Sequence, residues 1–242
     1  KPRASHVHVR GNFLQLGDPV QPDTPAFLPP LRPRGKSADR LDLARWIAGP
    51  RHPLTARVAV NRIWRNLFGR GLVETPDQFG LTGAPPTHPQ LLDWLATDFI
   101  KHGWSLKHLH RQIMTSATWQ MASTHPGEMI NAQGPSPKLV DAENRLLWKF
   151  NRRRLGFESL RDALVAVTGQ LDTKMGGPPV NILGGFNGRR SIYGRIHRMD
   201  LAPALLAFAF PDPNITCARR EATTVSPQAP YLMNNATIAD LS

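Results

Sequence analysis

The apolar positions along the chain recur mostly at three- and four-residue intervals, the spacing of one helix face. Leu54 to Phe68 is the clearest stretch: Ala56, Val60, Ile63, Trp64 and Leu67 share a face, and Gly69 follows where a left-handed C-cap is wanted. Before it, Ser37 and Asp39 offer caps for a helix carrying Leu41, Leu43, Ala44, Ile47 and Ala48 as its stripe, ended by Gly49-Pro50. Thr87-His88-Pro89 supplies a cap with proline in the first turn, and Leu91, Leu92, Leu95, Phe99 and Ile100 continue the pattern to Gly103. Ser105 then caps a helix with Leu106, Leu109, Ile113 and Ala117 inward. The connection is so short that these two helices form an αα-hairpin. Further helices are predicted over Ala142 to Phe150, Glu158 to Leu171, Leu201 to Phe210, and from Ser226-Pro227 through Leu241.

Little of the chain reads as strand. Seven prolines in the first 36 residues remove donors and fix φ too often for a helix or an inner strand, and only His6 to Phe13 alternates. Ser191 to Arg198 alternates weakly and is predicted as a short strand. Thr124 to Lys138 and the Gly/Pro-rich Met175 to Arg190 are loops, and no fixed-period repeat occurs. The predicted fold is mainly α: a single helical domain of about seven helices over residues 37–242, with a minor β ribbon, after an extended Pro-rich linker over residues 1–36.

Composition narrows this picture. The chain has 242 residues, 40% of them apolar, and a mean hydropathy of -0.33, values of an ordinary globular protein. One cysteine, Cys217, leaves no intrachain disulfide, no four-cysteine zinc cluster and no Cys-x-x-Cys-His haem attachment in this segment. No run approaches the ~18 apolar residues that span a bilayer. The chain begins with Lys1 and reads as a piece of something longer.

Charge raises the first functional question. Lys and Arg number 30 against 18 Asp and Glu, a net charge of +12, and arginine supplies 23 of the cations. Between Asp42 and Glu74 there is no acid, while Arg45, Arg51, Arg57, Arg62, Arg65 and Arg70 all fall there. Arg57, Asn61 and Arg65 are four apart and share a helix face, opposite the aliphatic stripe. Arginine grips carboxylate, sulfate or phosphate with a planar fork, so this face is an anion-binding candidate; a solvated or internally ion-paired face is the alternative. Nucleic acid is not favoured. The charge divides into +8 over residues 1–121 and +4 over 122–242 without a second basic stripe, and only 7% of residues are aromatic.

A second constellation lies between Phe210 and Asn235. Arg219, Arg220 and Asn234 join the anion-binding candidates, and Asp212, Thr216, Glu221, Thr223 and Gln228 form a candidate structural polar network around them. If Arg219 and Arg220 are buried they need carboxylates, with Asp212 and Glu221 the local choices; if they line a cleft, they hold a polar ligand. Cys217 has no histidine nearby in sequence and reads as a buried, inert thiol.

Signs of catalysis or metal binding are sparse. His6 and His8 point to one side of a strand but lack a third ligand, and His108 and His110 diverge around a helix, so no metal site is expected. His-Glu-x-x-His, Gly-x-Ser-x-Gly and Gly-Lys-Ser/Thr do not occur. Catalytic residues are therefore unassigned, and an enzyme, hydrolase-like with a polar Arg/Asp/Asn site, stands as the rival to a binding module.

Longer ordered motifs place the chain. Arg40 to Trp46 (RLDLARW), Pro53 to Trp64 (PLTARVAVNRIW), Phe68 to Gly80 (FGRGLVETPDQFG), Thr87 to Ala96, Gly103 to Ile113 and Thr216 to Ala229 (TCARREATTVSPQA) resemble the C-terminal domain of unknown function of large planctomycete-type secreted proteins. Val9 to Phe13 and Pro25 to Leu31 resemble the linker entering that domain. Pro230 departs from the pattern, standing where an apolar helix former is usual. The resemblance implies an extracytoplasmic setting and a c-type cytochrome-like domain upstream in the same precursor. It implies no cofactor in this segment, because none of the haem-binding residues is here. It also implies a link to electron transfer or to breakdown of polysaccharides. The partners it suggests are the other domains of the precursor and sulfated or carboxylated polysaccharide.

Overall fold

The structure is a computed structural model that describes residues 4–123, 140–220 and 223–234. The chain forms two compact units, Lys1–Phe150 and Asn151–Ser242. It is mainly α, as the periodicity predicts, with seven α-helices among the described residues and one two-stranded antiparallel ribbon.

In the first unit the ribbon pairs β1 (Ser5–His8) with β2 (Leu16–Val20) through a turn of 3-10 helix at Val9–Gly11. β2 was not expected. It tolerates Pro19 because each strand of a two-stranded ribbon has a free edge, where a missing donor costs no ladder bond. Four helices follow: α1 (Arg40–Ile47), α2 (Thr55–Phe68), α3 (Pro89–Lys101) and α4 (Leu106–Met114). Gly69 caps α2 in the left-handed conformation at φ 84, as its position predicts. The Ser105 side chain accepts the His108 N–H at the start of α4. The core is built from Val60, Trp64 and Phe68 of α2, Leu92, Leu95 and Phe99 of α3, and Leu109 and Ile113 of α4. Leu106, expected inward, is exposed.

Helix α1 departs from its predicted orientation. Leu41, Leu43 and Ile47 are exposed, and Asp42 is its buried residue. Asp39 and Asp42 form a reciprocal capping box, and Arg34 Nε donates to Asp42 at 2.7 Å. The Trp46 indole donates to the Pro29 carbonyl at 2.6 Å and meets His52 edge-on. Polar anchors therefore orient the helix, and its leucines are left outside.

Arg34 holds the Asp42 carboxyl below its ordinary value through their side-chain hydrogen bond, against the opposing effect of burial and with help from the Asp39 N–H. A carboxylate held more firmly folded than unfolded contributes fully above its unfolded value, and the contribution is lost as pH falls through the folded value. Thermal stability should therefore drop on acidification below the usual carboxylate range, and Asp42→Asn should flatten that limb. An acid limb identical in both proteins would contradict this.

Residues 142–150, predicted as helix, are a clasped loop. Asn144 and Leu147 take left-handed φ values of 53 and 58. The Asp141 carboxylate accepts the N–H groups of Arg145 and Leu146, and Asn144 Nδ2 donates to the Lys149 carbonyl at 2.7 Å. These short polar side chains offer the backbone partners that a helix would otherwise supply. The loop predicted over Thr124 to Lys138 lies outside the described residues.

The second unit contains α5 (Phe157–Val167), α6 (Pro203–Ala207) and α7 (Gln228–Asn234). Phe157, Phe208 and Tyr231 meet at ring distances of 5.4, 5.7 and 5.9 Å, and Ile182 and Leu205 join them in the core. The strand predicted over Ser191 to Arg198 is instead a 3-10 turn, Ser191–Tyr193, followed by a single bridge from Gly194 to Val180. The Asp162 carboxylate takes both the N–H and the hydroxyl of Ser191 and turns the chain there. Helix α5 stops at Val167, short of the predicted Leu171, where Gly169 turns left-handed at φ 73. α7 is described only as far as Asn234 of its predicted run to Leu241.

Candidate functional site

The arginine face of α2 is committed inside its own unit. Arg57 Nε donates to Asp93 of α3 at 2.6 Å, and its Nη1 donates to the Pro53 carbonyl. Asn61 is fully buried: Nδ2 donates to the Val73 carbonyl at 3.0 Å and Oδ1 accepts the Val73 N–H at 2.8 Å. A Cβ on Gly71 would lie 2.7 Å from that Oδ1, so the glycine is what lets the amide close over this peptide. Arg65 is half-buried in the last turn of α2, where a cation suits the carbonyl end of the helix. Arg70 pairs with Glu74 at 2.7 Å and approaches Glu143 at 3.4 Å.

The polar segment of the second unit is also largely internal. Arg220 Nη1 donates to both oxygens of Glu158 at 2.9 and 2.7 Å, and its remaining nitrogens donate to the Ala209 and Phe208 carbonyls at 3.1 Å. The partner among the described residues is thus Glu158, 62 residues away, and not the nearby Asp212. Ala209 itself stands at φ 54, and the guanidinium accounts for the carbonyls that this turn exposes. Gln228 is buried and donates to the carbonyls of Ala207 and Thr223. The Asp212 carboxylate accepts the Asn214 N–H in a local turn. Arg219, Thr216 and Asn234 are exposed, and Glu221 lies outside the described residues. Cys217 is exposed rather than buried, its thiol donating to the Arg219 carbonyl at 3.2 Å.

A third cluster sits at the turn between α3 and α4. Asp98 occupies the last turn of α3, His102 is its C-cap residue, and His108 lies in the first turn of α4. Gly103 and Trp104 take left-handed φ values of 63 and 60, which reverse the chain, and the Trp104 N–H donates to the Phe99 carbonyl at 2.9 Å. The Trp104 indole packs edge-on to Phe99 at 5.2 Å, which holds the turn to the core. As a result His108 Nε2 lies 2.9 Å from Asp98 Oδ2, and His102 Nδ1 lies 3.2 Å from Asp98 Oδ1. The imidazoles stack with centroids 3.8 Å apart. The two histidines and Gln112 together bring the Asp98 carboxyl below its ordinary value, although burial, the largest single influence, pushes it up.

A model of a protein family of unknown function (DUF1553), PSD1, matches residues 39–242. The chain belongs to the PSD1 family. No curated protein and no solved structure matches it.

Within this PSD1 domain, Arg57, Asn61 and Arg65 belong to the first unit and Arg219, Arg220 and Asn234 to the second. Of these, Arg57 and Arg220 hold acids of their own unit, Asn61 holds backbone, and Arg219 and Asn234 face solvent. Spacing along α4 alone, which sets His108 against His110, does not reveal the Asp98–His102–His108 cluster. A usable signal was present: Asp98 and His102 are four apart at a helix end, and the Gly103 turn folds the next histidines back toward them.

Proposed function

We propose that this PSD1 domain is a helical docking module of a larger, exported, cytochrome-linked protein, and that it binds a neighbouring domain of that precursor through its N-terminal stretch. The cytochrome link and the export rest on the resemblance of the ordered motifs to planctomycete-type secreted proteins. The docking face rests on one observation: among the described residues up to Ile47, the sole buried residue is Asp42.

The same stretch leaves Phe13 75%, Leu14 76% and Phe27 85% exposed, and Leu16, Leu43 and Ile47 are also open. A two-stranded ribbon without a covered face is marginal in water, so this arrangement suits a surface covered in the complete protein. A cleft of about 440 Å³ is lined by the apolar Pro22, Leu31, Ala38 and Leu43 together with Asp23, Ser37, Asp39 and Arg40. Arg10, Arg32, Arg40 and Arg45 are exposed on this stretch, with no acidic partner among the described residues, which fits an occupant with an acidic rim.

The same unpaired arginines favour a second reading, an anionic polysaccharide, whose binding would weaken with salt and discriminate sulfated from neutral chains. Replacing Leu43 and Ile47 together by aspartate tests the docking reading. Both side chains are exposed, so the melting temperature of the isolated chain should hold, while affinity for the remainder of the precursor should fall at least about tenfold. Unchanged affinity would count against the docking face.

A further inference from the structure

We infer that Asp98, His102 and His108 form a binding site for a single first-row divalent metal ion of the zinc class, held at the α3–α4 turn by one carboxylate oxygen and two imidazole nitrogens.

Geometry carries the inference. One ring nitrogen of His102, one of His108 and an Asp98 carboxylate oxygen all lie within 4.8 Å of one another, and they are the one such group of three among the described residues. Ligands at tetrahedral bonds of about 2.1 Å stand about 3.4 Å apart. His108 Nε2 stands 2.9 Å from Asp98 Oδ2 and His102 Nδ1 3.2 Å from the other oxygen, Oδ1, so either oxygen starts near that spacing from one imidazole and the second imidazole must close on it. The remaining adjustment falls on the imidazoles. They are stacked 16° from parallel, and an ion must lie in the plane of both rings, so one ring has to tilt. His102 can do so, because its side chain is 48% exposed at a helix end; where Nδ1 is the ligand it must also give up its proton and its contact with the Asp98 backbone carbonyl, 3.0 Å away.

The donor set selects the ion. Two imidazoles and one carboxylate suit zinc and its first-row neighbours; magnesium and calcium prefer oxygen alone. Three protein ligands leave a coordination position for water, and the exposure of His102 places the cluster within reach of solvent.

Support from outside the three ligands comes from Gln112, one turn beyond His108 on α4. Its side chain helps to hold the Asp98 carboxyl below its ordinary value, while its Oε1 is buried with no hydrogen-bond partner among the described residues. The Gly103–Trp104 reversal, fixed to Phe99, pre-arranges the ligands from two helices. The alternative is a clasp, in which the trio exists only to hydrogen-bond the hairpin closed.

Titration of the metal-free chain with Zn²⁺, followed by calorimetry and by the imidazole NMR signals, separates the two. The expected result is one equivalent bound, with the His102 and His108 ring signals shifting together. His102→Gln and Asp98→Asn should each weaken binding at least about 100-fold, beyond the roughly 10–100-fold that loss of an outer-shell partner costs, and Gln112→Ala should fall within that smaller range. His102→Gln removes a half-exposed side chain, so its circular dichroism should match the parent and keep the comparison valid. His6→Gln with His8→Gln should leave binding unchanged. Absence of Zn²⁺ binding, or binding that His102→Gln leaves intact, overturns the site and leaves the clasp.

Discussion

Replacing Asn61 by leucine should destabilise the first unit by about 3–5 kcal/mol, which for a chain of this size corresponds to a melting shift of about 6–20 °C. Asn61 is fully buried and satisfies both the N–H and the C=O of Val73. Leucine fills a similar space and strands both groups without water, at about 1–3 kcal/mol each. Gly71→Ala should act on the same contact, since its Cβ would lie 2.5 Å from the Val73 carbonyl oxygen and 2.7 Å from Asn61 Oδ1. Two substitutions in one contact should be less than additive. Chemical denaturation of the two single variants and the double variant measures this. A loss below about 1 kcal/mol for Asn61→Leu would show that the amide is not a structural lock.

Arg161→Met should have a comparable effect in the second unit, about 3–5 kcal/mol. Arg161 is 7% exposed and donates to the carbonyls of Arg189 and Asn187, to the Ser191 hydroxyl, and to Asp162 at 3.2 Å. Asp162 in turn receives the Ser191 N–H and hydroxyl, so the adjacent pair ties α5 to the end of the Gly-rich loop. Methionine keeps the bulk and removes every donor, leaving a carboxylate and two carbonyls short of partners. Lysine should not rescue, because one ammonium cannot reproduce the geometry of a planar fork. Denaturation should show the loss together with faster proteolysis between Met175 and Arg190. Retained stability and an uncut loop would contradict the assignment.

How far the sequence led depended on what holds each element. α2, α3 and α4 are held by apolar stripes, and their positions, the Gly69 cap and the Ser105 cap follow from spacing and local chemistry. α1 is held by Asp42, Arg34 and Trp46, so a search for an apolar stripe finds the helix and faces it the wrong way. Residues 142–150 have helix-compatible spacing, but Asp141 and Asn144 hold a different backbone through side-chain bonds.

The candidate sites show the same division. Helical spacing places Arg57, Asn61 and Arg65 on one helix but says nothing of Asp93 or Val73, which belong to other segments. Arg220 pairs with Glu158 across 62 residues, a distance at which sequence neighbourhood is no guide. The Asp98–His102–His108 cluster needs the chain reversal at Gly103 and Trp104, and a left-handed tryptophan is not a conformation that local preference predicts.

Amide hydrogen exchange reads the uncovered N-terminal face of the first unit residue by residue. If that face docks as proposed, exchange over residues 5–47 is slower in the full precursor than in this chain alone, with the α2 and α3 amides unchanged. Equal exchange over residues 5–47 in the two proteins would contradict the docking.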